Sequence, residues 1–72
     1  MAVEEIHAEM VSSVVTVLVA PGTEVAAGDT LVILESMKME MPVEAEDEGT
    51  VKEIKCEEGQ SVSEGDTLVV LE

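Results

Sequence analysis

The stretch Gly22-Thr-Glu-Val-Ala-Ala-Gly-Asp-Thr-Leu-Val-Ile-Leu-Glu35 occurs a second time as Gly59-Gln-Ser-Val-Ser-Glu-Gly-Asp-Thr-Leu-Val-Val-Leu-Glu72. Nine of the fourteen positions are identical, at a constant offset of 37 residues. The similarity continues upstream more weakly, so the two repeats span about residues 12–35 and 49–72. Two copies are too few for a solenoid, and the pattern therefore indicates one duplicated unit.

Each repeat is predicted to form short β-strands. Residues 14–19 and 51–56 are rich in β-branched and apolar side chains, and each run ends before a glycine turn. A second short element closes on each Gly-Asp pair, and apolar strands follow at 30–35 and 67–71, with a further strand at 41–45. Each repeat has an apolar face that it cannot bury alone. The sequence therefore predicts an all-β sandwich or barrel in which the repeats pack together around a pseudo-two-fold axis.

The length predicts a single domain covering residues 1–72, and a small one. Cys56 is the only cysteine, so no disulfide can close a loop within the chain. Hydrophobic residues make up 46% of the sequence, which is enough for a packed core. The fold must therefore be held by side-chain packing.

The charge balance excludes several classes of partner. Seventeen acidic residues face three lysines, Lys38, Lys52 and Lys55, for a net charge of −14, and no aromatic residue is present. Such a chain repels nucleic acid and anionic membranes and has no rings on which bases could stack. No apolar run is long enough to span a bilayer, and the start lacks the features of a secretory signal. The missing signal and the lone cysteine favour a cytoplasmic protein. Repulsion between copies that each carry a net charge of −14 favours a monomer.

The connector between the repeats breaks the pattern of the other turns. Residues 36–40 must contain a turn, yet they read Ser36-Met37-Lys38-Met39-Glu40, without the glycine, asparagine or aspartate that turns prefer. In a two-residue loop, Met37 and Lys38 would both need positive φ, a strained conformation that often marks a functional site. A solvated lysine beside core methionines is the simpler interpretation. Exposed methionines at a hairpin tip, however, would have no core to fill.

The chemistry available at this turn is that of the lysine amine, a nucleophile toward an activated carboxyl group that a separate enzyme would supply. Other chemistry is poorly supported. His7 and Cys56 are too few for a zinc site, and the acidic residues at 44 and 46–48 lack the spacing of a calcium loop. No arrangement of catalytic residues is present, so we expect neither a metal nor an enzymatic activity.

The hexamer Glu35-Ser36-Met37-Lys38-Met39-Glu40 resembles the biotin-acceptor motif of the biotinyl/lipoyl-attachment family, usually written Glu-Ala-Met-Lys-Met. The resemblance extends over nearly the whole chain, because the Gly-x-x-Val-x-x-Gly-Asp signature occurs twice and residues 45–51 resemble the family's Ala-x-x-x-Gly-x-Val stretch. One departure is Ser12, which stands where the family often has a glycine. The chain most resembles the short stand-alone biotinyl proteins of the family.

The resemblance implies a flattened barrel of two four-stranded antiparallel sheets with Lys38 on a tight hairpin turn. It also implies that a biotin protein ligase attaches biotin to Lys38, with Met37 and Met39 supporting recognition together with Glu35, Ser36 and Glu40. The implied function is a biotin carrier that moves a carboxyl group between biotin carboxylase and carboxyltransferase partners. A lipoyl carrier and an unmodified β-sandwich interaction module remain as alternatives, although the methionine flanks differ from the Asp-Lys-Ala or Asp-Lys-Val of lipoyl acceptors.

Overall fold

The computed structural model describes residues 3–72 and contains, within that range, eight β-strands. Met1 and Ala2, which the sequence predicts to belong to the same domain, lie outside the described residues. No helix in the described part of the chain is long and apolar enough to cross a membrane. The strands are β1 (Glu4–His7), β2 (Ser12–Val17), β3 (Glu24–Val25), β4 (Thr30–Ser36), β5 (Met39–Glu44), β6 (Gly49–Ile54), β7 (Ser61–Val62) and β8 (Thr67–Leu71).

The strands form two four-stranded antiparallel sheets, one in the order β1-β8-β6-β3 and the other in the order β5-β4-β2-β7. The predicted all-β fold with two four-stranded sheets is therefore confirmed. A shift of 37 residues converts one sheet into the other, because β2 becomes β6, β3 becomes β7, β4 becomes β8 and β1 becomes β5. The predicted pseudo-two-fold is thus present in the strand order.

The register of the strands follows the same symmetry. Glu4 pairs with Leu71 in one sheet, and Met41 pairs with Leu34 at the equivalent place in the other. The β-bulge between Val14 and Thr16 is repeated between Val51 and Glu53. Because bulges fix both twist and register, their repetition gives the two sheets the same shape.

The repeated Gly-Asp pairs form equivalent turns. Gly28 and Gly65 have φ of 90° and 91°, a conformation that side chains other than hydrogen rarely adopt. The Asp29 carboxylate accepts a hydrogen bond of 2.8 Å from the amide of Ala26, and Asp66 does the same at its own turn. These positions are identical in the two repeats because the turn geometry requires them.

The core lies between the sheets and is built from inward-facing aliphatic side chains of both repeats. The largest fully buried side chains are Leu31, Leu68, Val32, Val51 and Val69. Cys56 is also buried, just after β6 rather than within the strand that the sequence predicts there. It fills core space as a small apolar residue, and its burial raises the pKa of the thiol.

The strand boundaries differ from the sequence-based prediction in several places. β2 and β6 begin and end two residues earlier than predicted, although Leu18 still donates a hydrogen bond to Leu31 beyond the end of β2. β5 begins two residues earlier than predicted, because its pairing with β4 continues to the turn. The residues themselves gave no prediction of β1, since its two glutamates and one histidine leave a single apolar side chain facing the core.

The connector hairpin lies at the end of β5 opposite to Glu4 and Glu72. β5 runs from the hairpin to the loop at residues 45–48. Asp47 and Glu48 of this loop line a depression together with Glu4, Leu71 and Glu72. The described residues measure 36 × 18 × 17 Å, so β4 and β5 present the hairpin at a distance from Glu4 and Glu72.

Candidate functional site

Strands β4 and β5 are joined by only two residues, Met37 and Lys38, because Ser36 and Met39 form the last cross-strand pair. Their φ values are 55° and 66°, and no other non-glycine residue between positions 3 and 72 has positive φ. Two consecutive left-handed residues characterise the type I′ turn, whose twist matches that of antiparallel strands. The turn is therefore favourable for the hairpin but strained for the two side chains that occupy it.

The methionines beside Lys38 point into solvent. The side chain of Met37 is 91% exposed and that of Met39 is 68% exposed, and Lys38 is exposed between them. Met41, only two residues further along β5, is half-buried and packs against the core. The interpretation of Met37 and Met39 as core-filling residues is therefore wrong, and their apolar surface is available to another molecule.

The ammonium of Lys38 forms no ion pair with any residue in the described part of the chain. Among those residues, Lys55 forms an ion pair with Glu53 at 3.2 Å, and Nε2 of His7 lies 3.2 Å from Oε1 of Glu5. An unpaired primary amine at the end of a long side chain can enter the active site of another protein without first breaking an internal contact. The position therefore suits a lysine that is acylated by a separate enzyme.

Two carboxylates lie one cross-strand pair away from the Ser36–Met39 pair that closes the hairpin. Glu35 on β4 and Glu40 on β5 are cross-strand partners, and both are exposed. Like charges opposite one another destabilise a strand pair, so this arrangement makes no contribution to the stability of the hairpin. It creates a negative field beside Lys38 that would attract a partner with basic side chains.

The last two cross-strand pairs and the turn bring together all six sequence-predicted site residues, Glu35, Ser36, Met37, Lys38, Met39 and Glu40. The other two lysines, Lys52 and Lys55, lie on or just beyond β6 in the other sheet.

Other candidate chemistry is dispersed over the molecule. His7 is exposed on β1, whereas Cys56 is buried in the core. No group of three or more histidine, cysteine or acidic residues within positions 3–72 is arranged to hold a metal. A groove between the edge strands β1 and β5, floored by Ile6, Leu34 and Met41, contains none of the hairpin residues 36–40.

Two exposed apolar residues, Val15 of β2 and Leu18 just after it, were not among the residues predicted to form a site. Strand propensity alone predicts a β-branched run there and does not say which side chains face solvent. The alignment of the repeats did contain this information. The equivalent residues are Lys52 and Lys55, and lysines at those positions indicate that both positions face solvent.

Comparison with known proteins identifies the family. The family model described as "Biotin-requiring enzyme" matches residues 4–71. The curated "Biotinylated protein TB7.3 homolog" of Mycobacterium leprae is 49% identical over 51 residues, which are 71% of this chain and 72% of that protein. This similarity and the family match agree with the predicted resemblance to short biotinylated proteins, which is confirmed.

Solved structures of two kinds share the fold. The urea carboxylase of Kluyveromyces lactis superposes on 99% of this chain with a TM-score of 0.91 at 34% identity, and the chain spans 6% of that protein's length. The lipoyl domain of the 2-oxoglutarate dehydrogenase complex of Azotobacter vinelandii superposes on 93% of this chain, and on 95% of its own length, with a TM-score of 0.77 at 29% identity. Attachment domains of this kind are carriers and not catalysts. The chain therefore belongs to the biotin/lipoyl attachment family of the biotin-requiring enzymes.

Proposed function

We propose that Lys38 is the residue to which a biotin protein ligase attaches biotin, and that the biotinylated chain carries a carboxyl group between biotin carboxylase and carboxyltransferase sites. The observation that carries this proposal is the strained turn, which holds an unpaired lysine between two exposed methionines. Local strain of about 1–3 kcal/mol per residue is retained where the conformation serves a purpose. Presenting the amine at a fixed place is such a purpose.

The attachment reaction requires little of this chain. The Lys38 amine, after losing one proton, attacks the carbon of an activated biotin carboxyl group. An amide bond forms to Nζ, the bond between the carboxyl carbon and the activating group breaks, and the activating group leaves with the electron pair. Nζ loses a second proton as the amide forms, which the leaving group or the ligase accepts. No hydrogen-bonding base for Nζ is present among residues 3–72, so the ligase must accept the proton and supply the activated acid.

The neighbours of Lys38 suit recognition by that ligase. Met37 and Met39 offer flexible apolar side chains that can fill pockets of irregular shape. Glu35 and Glu40 offer negative charge, and the half-buried Ser36 closes the last pair of the hairpin. Because the paired strands β4 and β5 fix the positions of these residues relative to one another, a ligase can recognise their arrangement as well as their sequence.

Once attached, biotin would supply a ring that can accept and donate a carboxyl group, so this chemistry belongs to the cofactor. The chain contributes a stable frame that holds the attachment point at one end of an elongated molecule. The similarity to part of a urea carboxylase supports carboxylase partners. A net charge of −14 supports basic partner surfaces and, through self-repulsion, a monomeric carrier. The lone Cys56 supports a cytoplasmic location.

The proposal is tested by the intact mass of the protein after incubation with biotin, ATP and a biotin protein ligase. We expect one biotinyl increment on the wild type and none on Lys38→Arg, whose guanidinium cannot form the amide. Lys52 and Lys55 are internal controls, because both are exposed lysines of the same chain. Labelling that persists in Lys38→Arg and maps to either of them would show that the site assignment is wrong.

A lipoyl carrier is the second candidate, and the fold shared with a lipoyl domain supports it. The same protein incubated with lipoate, ATP and a lipoate ligase distinguishes the two. An increment from lipoate and none from biotin would replace the biotin proposal. No increment with either, on folded protein, would favour an unmodified interaction module.

A further inference from the structure

The pseudo-two-fold axis allows each surface position to be compared with an equivalent position in the other sheet. Val15 is 38% exposed and Leu18 is 51% exposed beside the sheet that carries the hairpin. The equivalent residues of the other sheet are Lys52 and Lys55. The backbone environment is the same, so the fold itself does not require apolar side chains at these two positions.

Val15 and Leu18 lie beside two further outward-facing apolar residues, the partly exposed Ile33 and the exposed Pro42. Ile33 of β4 pairs with Thr16 of β2 on one side and with Pro42 of β5 on the other, so these three side chains lie in one row on the outer face. Val15 lies beside this row at the bulge, and Leu18 lies at the next outward position along the chain. We define the apolar patch as Val15, Leu18, Ile33 and Pro42.

The apolar patch lies within reach of a protein bound at the hairpin. Pro42 is four residues from Lys38 along β5, a distance of about 14 Å at ~3.4 Å per residue. A standard interface buries about 800 Å² on each partner, which is roughly 30 Å across if circular. Leu18, whose amide donates a hydrogen bond to Leu31 of β4, is the most distant member, roughly 20 Å from the tip at ~3.4 Å per residue. A protein that takes Lys38 into its active site at one edge of such a footprint, and extends from there along the outer face of this sheet, therefore reaches the apolar patch.

The attachment enzyme has the strongest need to approach this closely. It must bring an activated carboxyl carbon within about 3.5 Å of Nζ of Lys38 itself. A carboxylase instead acts on the ring at the far end of the attached arm and does not have to contact the strands. Between the tip and the apolar patch lies the pair Glu35 and Glu40, which matches a surface with basic side chains.

We propose that the apolar patch is a docking surface for the biotin protein ligase, which meets it with apolar side chains bordered by basic ones. This inference rests on the proposed function of Lys38 and adds a second contact region away from the tip. Docking there strengthens binding of the unmodified carrier and leaves the chemical step at Nζ unchanged.

The test exchanges the residues of the two sheets. The variant Val15→Lys/Leu18→Lys/Lys52→Val/Lys55→Leu keeps the composition and the net charge of −14 and moves two apolar side chains to the other face. Each residue then occupies a position whose equivalent already accepts it. The matched control is Lys52→Val/Lys55→Leu alone, and a neutral variant, Val15→Ser/Leu18→Asn, removes the apolar side chains without adding charge.

The measurement is the steady-state rate of biotin attachment against carrier concentration, with folding checked by circular dichroism. We expect the exchanged and neutral variants to raise KM by about tenfold, in the range for loss of buried interface side chains, with kcat unchanged. The control Lys52→Val/Lys55→Leu should leave both constants near the wild-type values.

Three results would overturn the proposal. An unchanged KM in the neutral variant would show that the ligase does not contact the patch, while wild-type labelling would leave the role of Lys38 intact. A concentration-dependent dimer in analytical ultracentrifugation that the exchange dissolves would assign the patch to a second copy of this chain. A wild type that the ligase never labels would remove the proposed function and this inference together.

Discussion

Replacing Met37 by glycine should stabilise the unmodified protein, although glycine is usually destabilising within a strand. Met37 has φ of 55°, a left-handed conformation that costs a non-glycine residue about 1–2 kcal/mol. Glycine adopts it without that cost but loses about 0.5–1 kcal/mol through the greater freedom of the unfolded chain. Because Met37 is 91% exposed, almost no packing is lost. The net expectation is a gain of about 0.5–1 kcal/mol in the free energy of unfolding.

The matched control is the same substitution two residues later. Met39 is also largely exposed, but it lies in β5 and does not have positive φ. Met39→Gly therefore gains no relief of strain and should lose about 0.5–1 kcal/mol. One chemical change at two neighbouring positions is thus expected to act with opposite sign.

Urea denaturation followed by far-UV circular dichroism measures both changes, because the chain has no aromatic residue to report by fluorescence. For a domain of this size, 1 kcal/mol corresponds to about 4–8 °C in the melting temperature. Thermal melts of the two variants should therefore move in opposite directions from the wild type. If Met37→Gly destabilised the protein as much as Met39→Gly, the turn would not be strained, and the reasoning about its functional purpose would lose its basis.

Two further substitutions concern buried polar chemistry. Burial raises the pKa of the Cys56 thiol, so the folded chain retains a proton that the unfolded chain releases as the pH rises above about 8.5. The free energy of unfolding should therefore fall as the pH rises through that range. The variant Cys56→Val, which copies the equivalent Val19, should lose this part of the pH dependence, as measured by urea denaturation at several pH values. The same pH dependence in the variant and the wild type would show that the Cys56 thiol does not cause it. Glu4 pairs with the buried Leu71, and its Oε1 is buried without a hydrogen-bond partner among the described residues. Glu4→Met should raise the free energy of unfolding by about 1–3 kcal/mol in urea melts, whereas Glu5→Met on the outer face should change it by less than about 0.5 kcal/mol; equal effects would show that the burial of Glu4 carries no cost.

The repeat made most of the fold predictable from the sequence. Identical glycines and aspartates at an offset of 37 residues predict equivalent turns, and Gly28 and Gly65 have the same φ to within a degree. The hairpin was predictable for the opposite reason, since Met37 and Lys38 violate a rule that the other turns obey. In both cases local chemistry, and not long-range packing, determines the geometry.

Other features depended on tertiary context. β1 was not predicted because Glu4 and Glu5 disfavour a strand, and its pairing with β8 brings together residues 60 to 67 positions apart. β2 and β6 begin earlier than predicted because Ser12 pairs with β7 and Gly49 pairs with β3, and strand propensity does not report such pairings between distant segments. The exposure of Val15 and Leu18 depends on the outer face having no further layer, which only the assembled sheets define.

The two repeats have similar residues in their turns and in the core, and different residues on their edge strands and outer faces. The glycines and aspartates of the turns are identical because the turn geometry requires them, and the core positions are filled by small or aliphatic side chains in both repeats. The edge strands are protected differently: β5 carries Pro42, which cannot donate to a further strand, whereas β1 turns Glu4 toward the core. The outer faces differ most, with Val15 and Leu18 on the sheet that carries Lys38 and lysines on the other. A difference that leaves the backbone unchanged is not explained by folding. It lies on the sheet that would approach a partner when Lys38 enters that partner's active site, which is where selection for recognition would act.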